Sequence, residues 1–159
     1  MTLEQPSARH DVPGGAARIV AIHLSPGPRS RSMPRPVGSA QALEDQGLEG
    51  DRHARRGNRR SVLLVESEVL DELGLEPGVI REQITVRGLG LADLPAGMRL
   101  AAGTAEFEVA APCDPCERME EIRPGLRRAL EGRRGRFVRV VRAGTVSVGD
   151  ALTPVSPGA

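Results

Sequence analysis

The chain has 159 residues and a formal net charge of +1, from 22 basic and 21 acidic side chains. That length fits one domain with a sizeable core, and the nearly neutral charge provides no overall field for binding nucleic acid or a membrane surface. Every basic side chain other than histidine is an arginine. Without lysine the chain cannot hold pyridoxal phosphate as a Schiff base, which excludes this covalent cofactor.

The N-terminal third is predicted to contain one strand and several loops. Residues 1–16 lack the apolar stretch of a signal peptide and are expected to be a disordered lead-in to a cytoplasmic protein. Residues 17–24 are apolar and β-branched, which predicts a first strand. Residues 25–36 are rich in Pro, Ser and Arg and predict a loop. A turn-rich segment, 47–53, is followed by a basic loop at 55–60.

The remainder of the chain alternates short strands with few helices. Gly74 is expected to end the first helix, Pro124 begins the helix at 124–130, and Gly149 bends the last strand. Strands are predicted at 61–65, 80–87, 98–101, 104–109, 137–141 and 145–155, and helices at 66–73, after Glu117 and at 124–130, with a helical turn at 92–94. About seven short strands with few helices predict a mostly β fold, a β-barrel, formed by residues 17–155 with a short tail at 156–159.

Cys113 and Cys116 are the only cysteines, and they lie in the sequence Pro-Cys-Asp-Pro-Cys between a predicted strand and a predicted helix. Such a pair can carry sulfur, bind a metal, form a redox couple or form a disulfide. A structural disulfide is disfavoured in the expected cytoplasmic location. A zinc site needs four ligands, and the histidines available to complete it are His10, His23 and His53.

Other polar residues indicate acid–base chemistry or anion binding. Asp51 can orient His53 as an acid–base group or a hydrogen-bond donor, or it can cap backbone amides in a structural turn. Arginines that can grip phosphate fall in two groups, and either group can equally be a solvated basic surface. The groups are Arg52, Arg55, Arg56, Arg59 and Arg60, and Arg127, Arg128, Arg133, Arg134 and Arg136. Strand alternation places Arg81 and Gln83 on one face and Glu82 on the other, while His23 on an apolar strand is expected to be a satisfied core or edge histidine.

Four segments in order carry a family resemblance: residues 47–54, 81–89, 112–116 and 144–150. Their order and spacing resemble the MOSC family, named for the C-terminal domain of molybdenum cofactor sulfurases. The resemblance covers residues 17–155, which is nearly the whole chain. It departs from the family pattern at Gln83, where the family usually has asparagine.

The resemblance implies a β-barrel domain associated with the molybdenum cofactor, molybdopterin. The family cysteine aligns best with Cys116, which would carry sulfur as a persulfide or ligate molybdenum. A sulfur carrier needs a desulfurase partner that supplies the pyridoxal phosphate enzyme chemistry, whereas a reductase of N-hydroxylated compounds needs an electron-donor protein. Either activity, a sulfur transferase or a reductase, implies a small-molecule substrate and no nucleic acid or membrane.

The predicted site follows from the resemblance and the residue chemistry together. Cys116, His53 and Asp51 are the expected catalytic residues, and Cys116 is the expected molybdenum ligand. The expected cofactor-binding residues are Arg52, Arg55, Arg56, Arg59, Arg81 and Arg134. Two alternatives stay open: a thiol redox protein using Cys113 and Cys116, and a nucleic-acid-binding β-barrel, for which the chain has few aromatic side chains to stack on bases.

Overall fold

Strands dominate the structure, a computed structural model that describes residues 17–27 and 33–156. The predicted lead-in at residues 1–16 and His10 lie outside the described residues. In chain order the strands are β1 Arg18–Leu24, β2 Arg35–Val37, β3 Ser39–Leu43, β4 Gly47–Leu48, β5 Val62–Glu66, β6 Ile84–Arg87, β7 Arg99–Ala102, β8 Ala105–Pro112, β9 Arg136–Arg142, β10 Gly144–Ser147 and β11 Leu152–Pro154.

The helices are short, as the sequence predicted. They are α1 Ser67–Leu73, a single 3₁₀ turn at Leu91–Asp93, α2 Arg118–Ile122 and α3 Leu126–Ala129. Helix α1 ends at Gly74, which adopts the left-handed conformation with φ of 69°, a geometry that glycine reaches without steric cost. No helix within the described residues is long and apolar enough to cross a membrane.

The strands form two sheets. The larger has the order β11-β7-β8-β9-β5-β6-β1-β2, and the smaller has the order β10-β3-β4. Neighbouring strands are antiparallel except β5 and β6, which are parallel. A parallel pair needs a crossover connection, and here the connection contains α1 and the segment that leads to Arg81.

The mostly β prediction is confirmed, but a closed barrel is not found within residues 17–27 and 33–156. The larger sheet is open, because its two edge strands, β11 and β2, do not pair with each other. An isolated antiparallel bridge joins Arg18 of β1 to Ala151, the residue before β11. Backbone hydrogen bonds from Ile19 N to Asp150 O (2.9 Å) and from Leu152 N to Ala17 O (3.0 Å) accompany the bridge.

Three predicted element boundaries differ most from the structure. The single strand predicted at 145–155 is two strands, β10 and β11, which lie in different sheets on either side of a turn. That turn is held by Asp150, whose Oδ2 accepts a hydrogen bond from Ser147 N at 2.7 Å. The strand predicted at 80–87 begins only at Ile84, and the loop predicted at 25–36 ends in β2.

Two apolar clusters form the core. The larger is built by side chains from both sheets and includes Phe107. The smaller lies between β5, β9 and the helices, and includes Phe137, Met119 and Leu126. Cys113 packs against the edge of this second cluster, so the cysteine turn sits beside well-packed structure.

A buried arginine anchors the segment that leads into the cysteine turn. Arg136 is 7% exposed, and its guanidinium donates hydrogen bonds to three backbone carbonyls. They are Ala110 O (2.7 Å), Leu94 O (2.8 Å) and Leu91 O (3.1 Å). These bonds tie the end of β8 to the 3₁₀ turn. Because every acceptor is a backbone carbonyl, the Arg136 side chain clamps these two segments of the backbone together.

If Arg136 acts as a clamp, replacing it with methionine should destabilise the protein more than the same replacement of Arg142, another arginine of β9. Arg136→Met leaves buried carbonyl oxygens without donors, so we expect the free energy of unfolding to fall by about 3 kcal/mol. Arg142 pairs with Glu106 at the surface at 2.8 Å, so Arg142→Met should cost less than about 1 kcal/mol. Denaturant unfolding of both variants measures the difference, and equal costs would contradict the clamp.

Candidate functional site

A cavity of about 410 Å³ opens where the cysteine turn meets the loop after β4 and the segment before β6. We call it the arginine cavity because five of its lining residues are arginines. The lining residues are Ser25, Arg52, His53, Asn58, Arg60, Leu63, Arg81, Gln83, Cys113, Arg118, Arg134 and Phe137.

The arginine cavity is strongly positive. No aspartate or glutamate is among its lining residues in the described part of the chain. Burial lowers the pKa of Arg81 below its ordinary value, and the positive charges of Arg118 and Arg52 lower it further. Arginines that repel one another in this way favour a ligand that brings negative charge.

Arg134 carries buried hydrogen-bond donors at the cavity. The side chain is 7% exposed, and its Nη2 donates to Ile80 O at 2.9 Å. Its buried Nε and Nη1 make no hydrogen bond within the described residues. Buried donors are ordinarily satisfied, and an anionic oxygen in the cavity would satisfy these two.

Two other arginines are held in defined positions. Arg81 has φ of 69°, a left-handed conformation that is uncommon for a residue with a side chain and tends to occur at functional sites. The Arg60 guanidinium lies 4.5 Å from the centre of the Phe137 ring, a distance at which a cation and an aromatic face attract. The cavity therefore presents oriented cations.

Asp51, His53 and Gln83 form a hydrogen-bonded group at the wall of the cavity. His53 Nδ1 lies 3.0 Å from Asp51 Oδ2, and Gln83 Nε2 lies 3.2 Å from the same oxygen. Because a carboxylate accepts hydrogen bonds, Nδ1 carries the proton in this contact. The second ring nitrogen, Nε2, is then free to accept a proton from a ligand.

Asp51 performs both roles that the sequence left open. It orients the imidazole of His53, and it also accepts backbone hydrogen bonds from Ser25 N (2.7 Å) and His53 N (3.2 Å). Its side chain has no exposed surface. Asp51 therefore stands behind the cavity wall and positions His53, which lines the cavity.

The two cysteines occupy different environments. Both are free thiols; Cys113 is partly buried and lines the arginine cavity, whereas Cys116 is exposed and is not among the lining residues. Burial raises the pKa of the Cys113 thiol, while the nearby charges of Arg134 and Arg60 act in the opposite direction. No cluster of three or more His, Cys, Asp or Glu side chains suited to a metal occurs in residues 17–27 and 33–156.

A second cavity, of about 350 Å³, lies on the other side of Cys113. Cys113 and Arg134 line both cavities. Glu66 and Asp114 contribute carboxylates to the second one. Burial raises the pKa of Glu66, although its hydrogen bond from Leu91 N opposes the shift. The thiol therefore lines a cationic cavity and a second cavity that contains both arginines and carboxylates.

The predicted site residues are only partly brought together. Arg52, His53, Arg81 and Arg134 line the arginine cavity, with Asp51 behind it. Arg56 and Arg59 line a separate surface cleft beside Glu44 and Asp45. Arg55 is exposed and lines neither the arginine cavity nor this cleft. Arg60, a member of the first arginine group of the sequence analysis, also lines the site, as do Arg118, Asn58 and Ser25, which were not predicted to bind a cofactor.

His23 differs from its prediction in one respect. It is buried at 8% exposure, as expected of a core residue. Its Nδ1, however, makes no hydrogen bond within the described residues, so the ring is not fully satisfied. Its Nε2 lies 2.6 Å from where a Cβ on Gly78 would stand, which explains a glycine there.

Sequence comparison places this site within a known family. The model of the MOSC domain matches residues 51–153. The chain belongs to the MOSC domain family. The match includes the Asp51–His53 turn, Arg81, Gln83 and both cysteines, so most of the arginine cavity is built from MOSC residues. MOSC domains are associated with molybdenum cofactor-binding proteins.

Solved structures have the same fold at low sequence identity. The YuaD protein from Bacillus subtilis aligns with a TM-score of 0.68 and 21% identity, over 86% of this chain and 93% of that one. YiiM from Geobacillus stearothermophilus gives 0.69 and 23%, over 89% and 76%. YiiM from Escherichia coli gives 0.63 and 20%, over 87% and 70%. The comparison with curated proteins gives no match.

The electrostatics of Cys113 predict how its reactivity depends on pH. In a Cys116→Ser background, iodoacetamide alkylation of Cys113 should increase with pH and reach half its maximum above the ordinary pKa of a thiol. Arg134→Gln removes a charge that lowers this pKa, so alkylation at mildly alkaline pH should slow about three- to tenfold. Arg128→Gln, at an exposed position, is the control, and equal rates for both substitutions would show that Arg134 does not act on the thiol.

Proposed function

We propose that the arginine cavity binds the phosphate-bearing pterin of the molybdenum cofactor, and that the turn of Cys113 and Cys116 supplies the sulfur chemistry. The observation that carries the proposal is a cavity of five arginines without a described carboxylate, beside a thiol. Guanidinium groups bind phosphate oxygens through paired hydrogen bonds. Thiolate sulfur is a soft ligand suited to the metal of such a cofactor.

The residues present fit an anionic cofactor in size and in donor chemistry. A volume of about 410 Å³ is in the usual range for small-molecule sites, about 300–1,000 Å³. The unsatisfied Nε and Nη1 of Arg134 match the acceptor oxygens of phosphate. When bound, the cofactor would supply a redox-active metal that this chain's side chains do not provide.

The chain's own residues would then orient the ligand and handle protons. Asp51 fixes the imidazole of His53 through Nδ1, and Gln83 Nε2 donates to the same Asp51 oxygen, so Nε2 of His53 can donate or accept one proton at the cavity wall. Arg52, Arg81 and Arg134 would hold the anionic groups. Two reactions are then open to the site: sulfur transfer, and reduction of an N-hydroxylated compound. The partner decides between them, because the first needs a sulfur donor and the second needs an electron-donor protein.

Family resemblance and geometry favour different thiols. The resemblance aligns Cys116 with the family cysteine, and Cys116 is the exposed member of the pair. Cys113 is the thiol that lines both cavities and lies near Arg134 and Arg60. We therefore propose Cys113 as the sulfur next to a bound cofactor and keep Cys116 as a carrier of sulfur.

Cofactor retention tests this function. Protein purified from its native host should contain molybdenum and pterin, and Arg134→Gln should lower the content about tenfold or more, the effect of losing one charge-assisted hydrogen bond. Cys113→Ser should release the metal while retaining more of the pterin. Arg56→Gln, in the separate cleft, is the matched control. Metal analysis and pterin fluorescence give both contents, and unchanged values in Arg134→Gln and Cys113→Ser would refute the proposal.

A nucleic-acid-binding role has less support. Base stacking needs accessible aromatic rings. The chain has two phenylalanines and no tryptophan or tyrosine, and both Phe107 and Phe137 are buried. A titration with single-stranded oligonucleotide at low salt should therefore show no saturable binding.

A further inference from the structure

The exposure of the two thiols suggests that they act in sequence. Cys116 is exposed and lines neither of the two cavities, whereas Cys113 is partly buried and lines both. A protein donor therefore meets Cys116 first, because Cys113 is reached through a cavity. The thiol that a partner can contact and the thiol beside the arginines are different residues.

The spacing of the two cysteines is one at which their sulfurs can approach each other. They are separated by Asp114 and Pro115, and the Cys-x-x-Cys spacing allows the sulfurs to meet. The proline ring restricts the backbone between them. Hydrogen bonds from Cys113 N to Gly135 O (2.9 Å) and from Met119 N to Cys116 O (2.9 Å) hold the two ends of the turn.

We propose that Cys116 accepts sulfane sulfur from a protein persulfide and passes it to Cys113 at the arginine cavity. In the first step the Cys116 thiolate attacks the terminal sulfur of the donor's cysteine persulfide, which forms the Cys116 persulfide and releases the donor's thiolate. In the second step the Cys113 thiolate attacks the terminal sulfur on Cys116, which forms the Cys113 persulfide and regenerates the Cys116 thiolate. Neither step needs an oxidant or a reductant, because one S–S bond forms as another breaks.

The relay rests on the proposed function, since it delivers sulfur to the thiol next to the proposed cofactor position. It names the donor by its chemistry, as a desulfurase that carries a cysteine persulfide. The competing reaction is attack by Cys113 on the inner sulfur of the Cys116 persulfide. That reaction forms a Cys113–Cys116 disulfide and releases hydrogen sulfide, and it would make the pair a redox couple.

Single-cysteine variants separate the two steps. The donors are a pyridoxal phosphate cysteine desulfurase charged with L-cysteine, which is a protein, and inorganic polysulfide, which is small enough to enter the cavity. Both thiols lie in the tryptic peptide 100–118, so mass spectrometry of one peptide detects the added sulfur. In each single-cysteine variant its position is unambiguous, and fragmentation locates it in the wild type.

The relay predicts a different result for each donor. The desulfurase should sulfurate Cys116 in Cys113→Ser, and it should sulfurate Cys113 in Cys116→Ser at least about tenfold more slowly than in the wild type. Polysulfide should sulfurate Cys113 in Cys116→Ser directly. In the wild type, sulfur from the desulfurase should appear on Cys116 first and on Cys113 later.

Three outcomes would overturn the relay. They are fast sulfuration of Cys113 by the desulfurase in Cys116→Ser, no sulfuration of Cys116 in Cys113→Ser, and formation of a disulfide with hydrogen sulfide in the wild type. Molybdenum and pterin content of the same variants separates this failure from failure of the proposed function. A relay that fails while Arg134→Gln still loses the cofactor leaves the cofactor site intact.

Discussion

The buried carboxylate of Asp51 holds together the segments that form the arginine cavity. Its Oδ1 accepts a hydrogen bond from Ser25 N, just after β1, and its Oδ2 accepts from His53 N and Gln83 Nε2. Gln83 in turn accepts a hydrogen bond from Leu63 N of β5 at 2.9 Å. Burying a carboxylate costs free energy unless several donors surround it. The Asp51 carboxylate therefore holds its hydrogen-bond donors in place. Without it, the loop that carries Arg52 and His53 would keep the backbone hydrogen bond from Arg52 N to Ser25 O but lose its side-chain links to Ser25 and Gln83.

Placing so many positive charges around one cavity costs free energy, and packing does not explain why they are there. Five arginines line it, and the pKa of Arg81 is lowered by its burial and by its cationic neighbours. The Arg81 backbone is also held in a left-handed conformation. Repulsion and strain of this kind are retained where function needs them. The overall charge of +1 conceals this local excess, because none of the described acidic side chains is among the residues that line the cavity.

Local sequence patterns predicted the elements that are determined by residues close together in the chain. The apolar run of β5, the helix that stops at Gly74 and the strand pair β7–β8 were all predicted close to their observed bounds. The pattern missed β3 and β4, since Ser39–Leu43 is a weak alternation of small residues, and its strand character depends on pairing with β10. The break at Gly149 was predicted as a bend, because sequence alone does not show that two halves join different sheets.

The candidate site was harder to predict because loop geometry decides which arginines point inward. Asn58 fixes the basic loop: its Nδ2 donates to His53 O at 2.8 Å, and its Oδ1 accepts from Arg60 N at 3.0 Å. This places Arg60 in the cavity and Arg56 in the other cleft. Spacing along the chain contains no such information. Similarly, a sequence motif assigns a cysteine by alignment, whereas the fold decides which thiol lies beside the arginines.

The position of Cys113 couples sulfur chemistry to anion binding. Arg134 and Arg60 lower the pKa of this thiol against the larger effect of burial. An anion bound to the same arginines would offset their charge and so raise the thiol pKa further. By linkage, ionising Cys113 must weaken anion binding by the same free energy. A thiolate at Cys113 is therefore most available before an anion occupies the cavity, which favours loading of sulfur first and binding of the anionic ligand second.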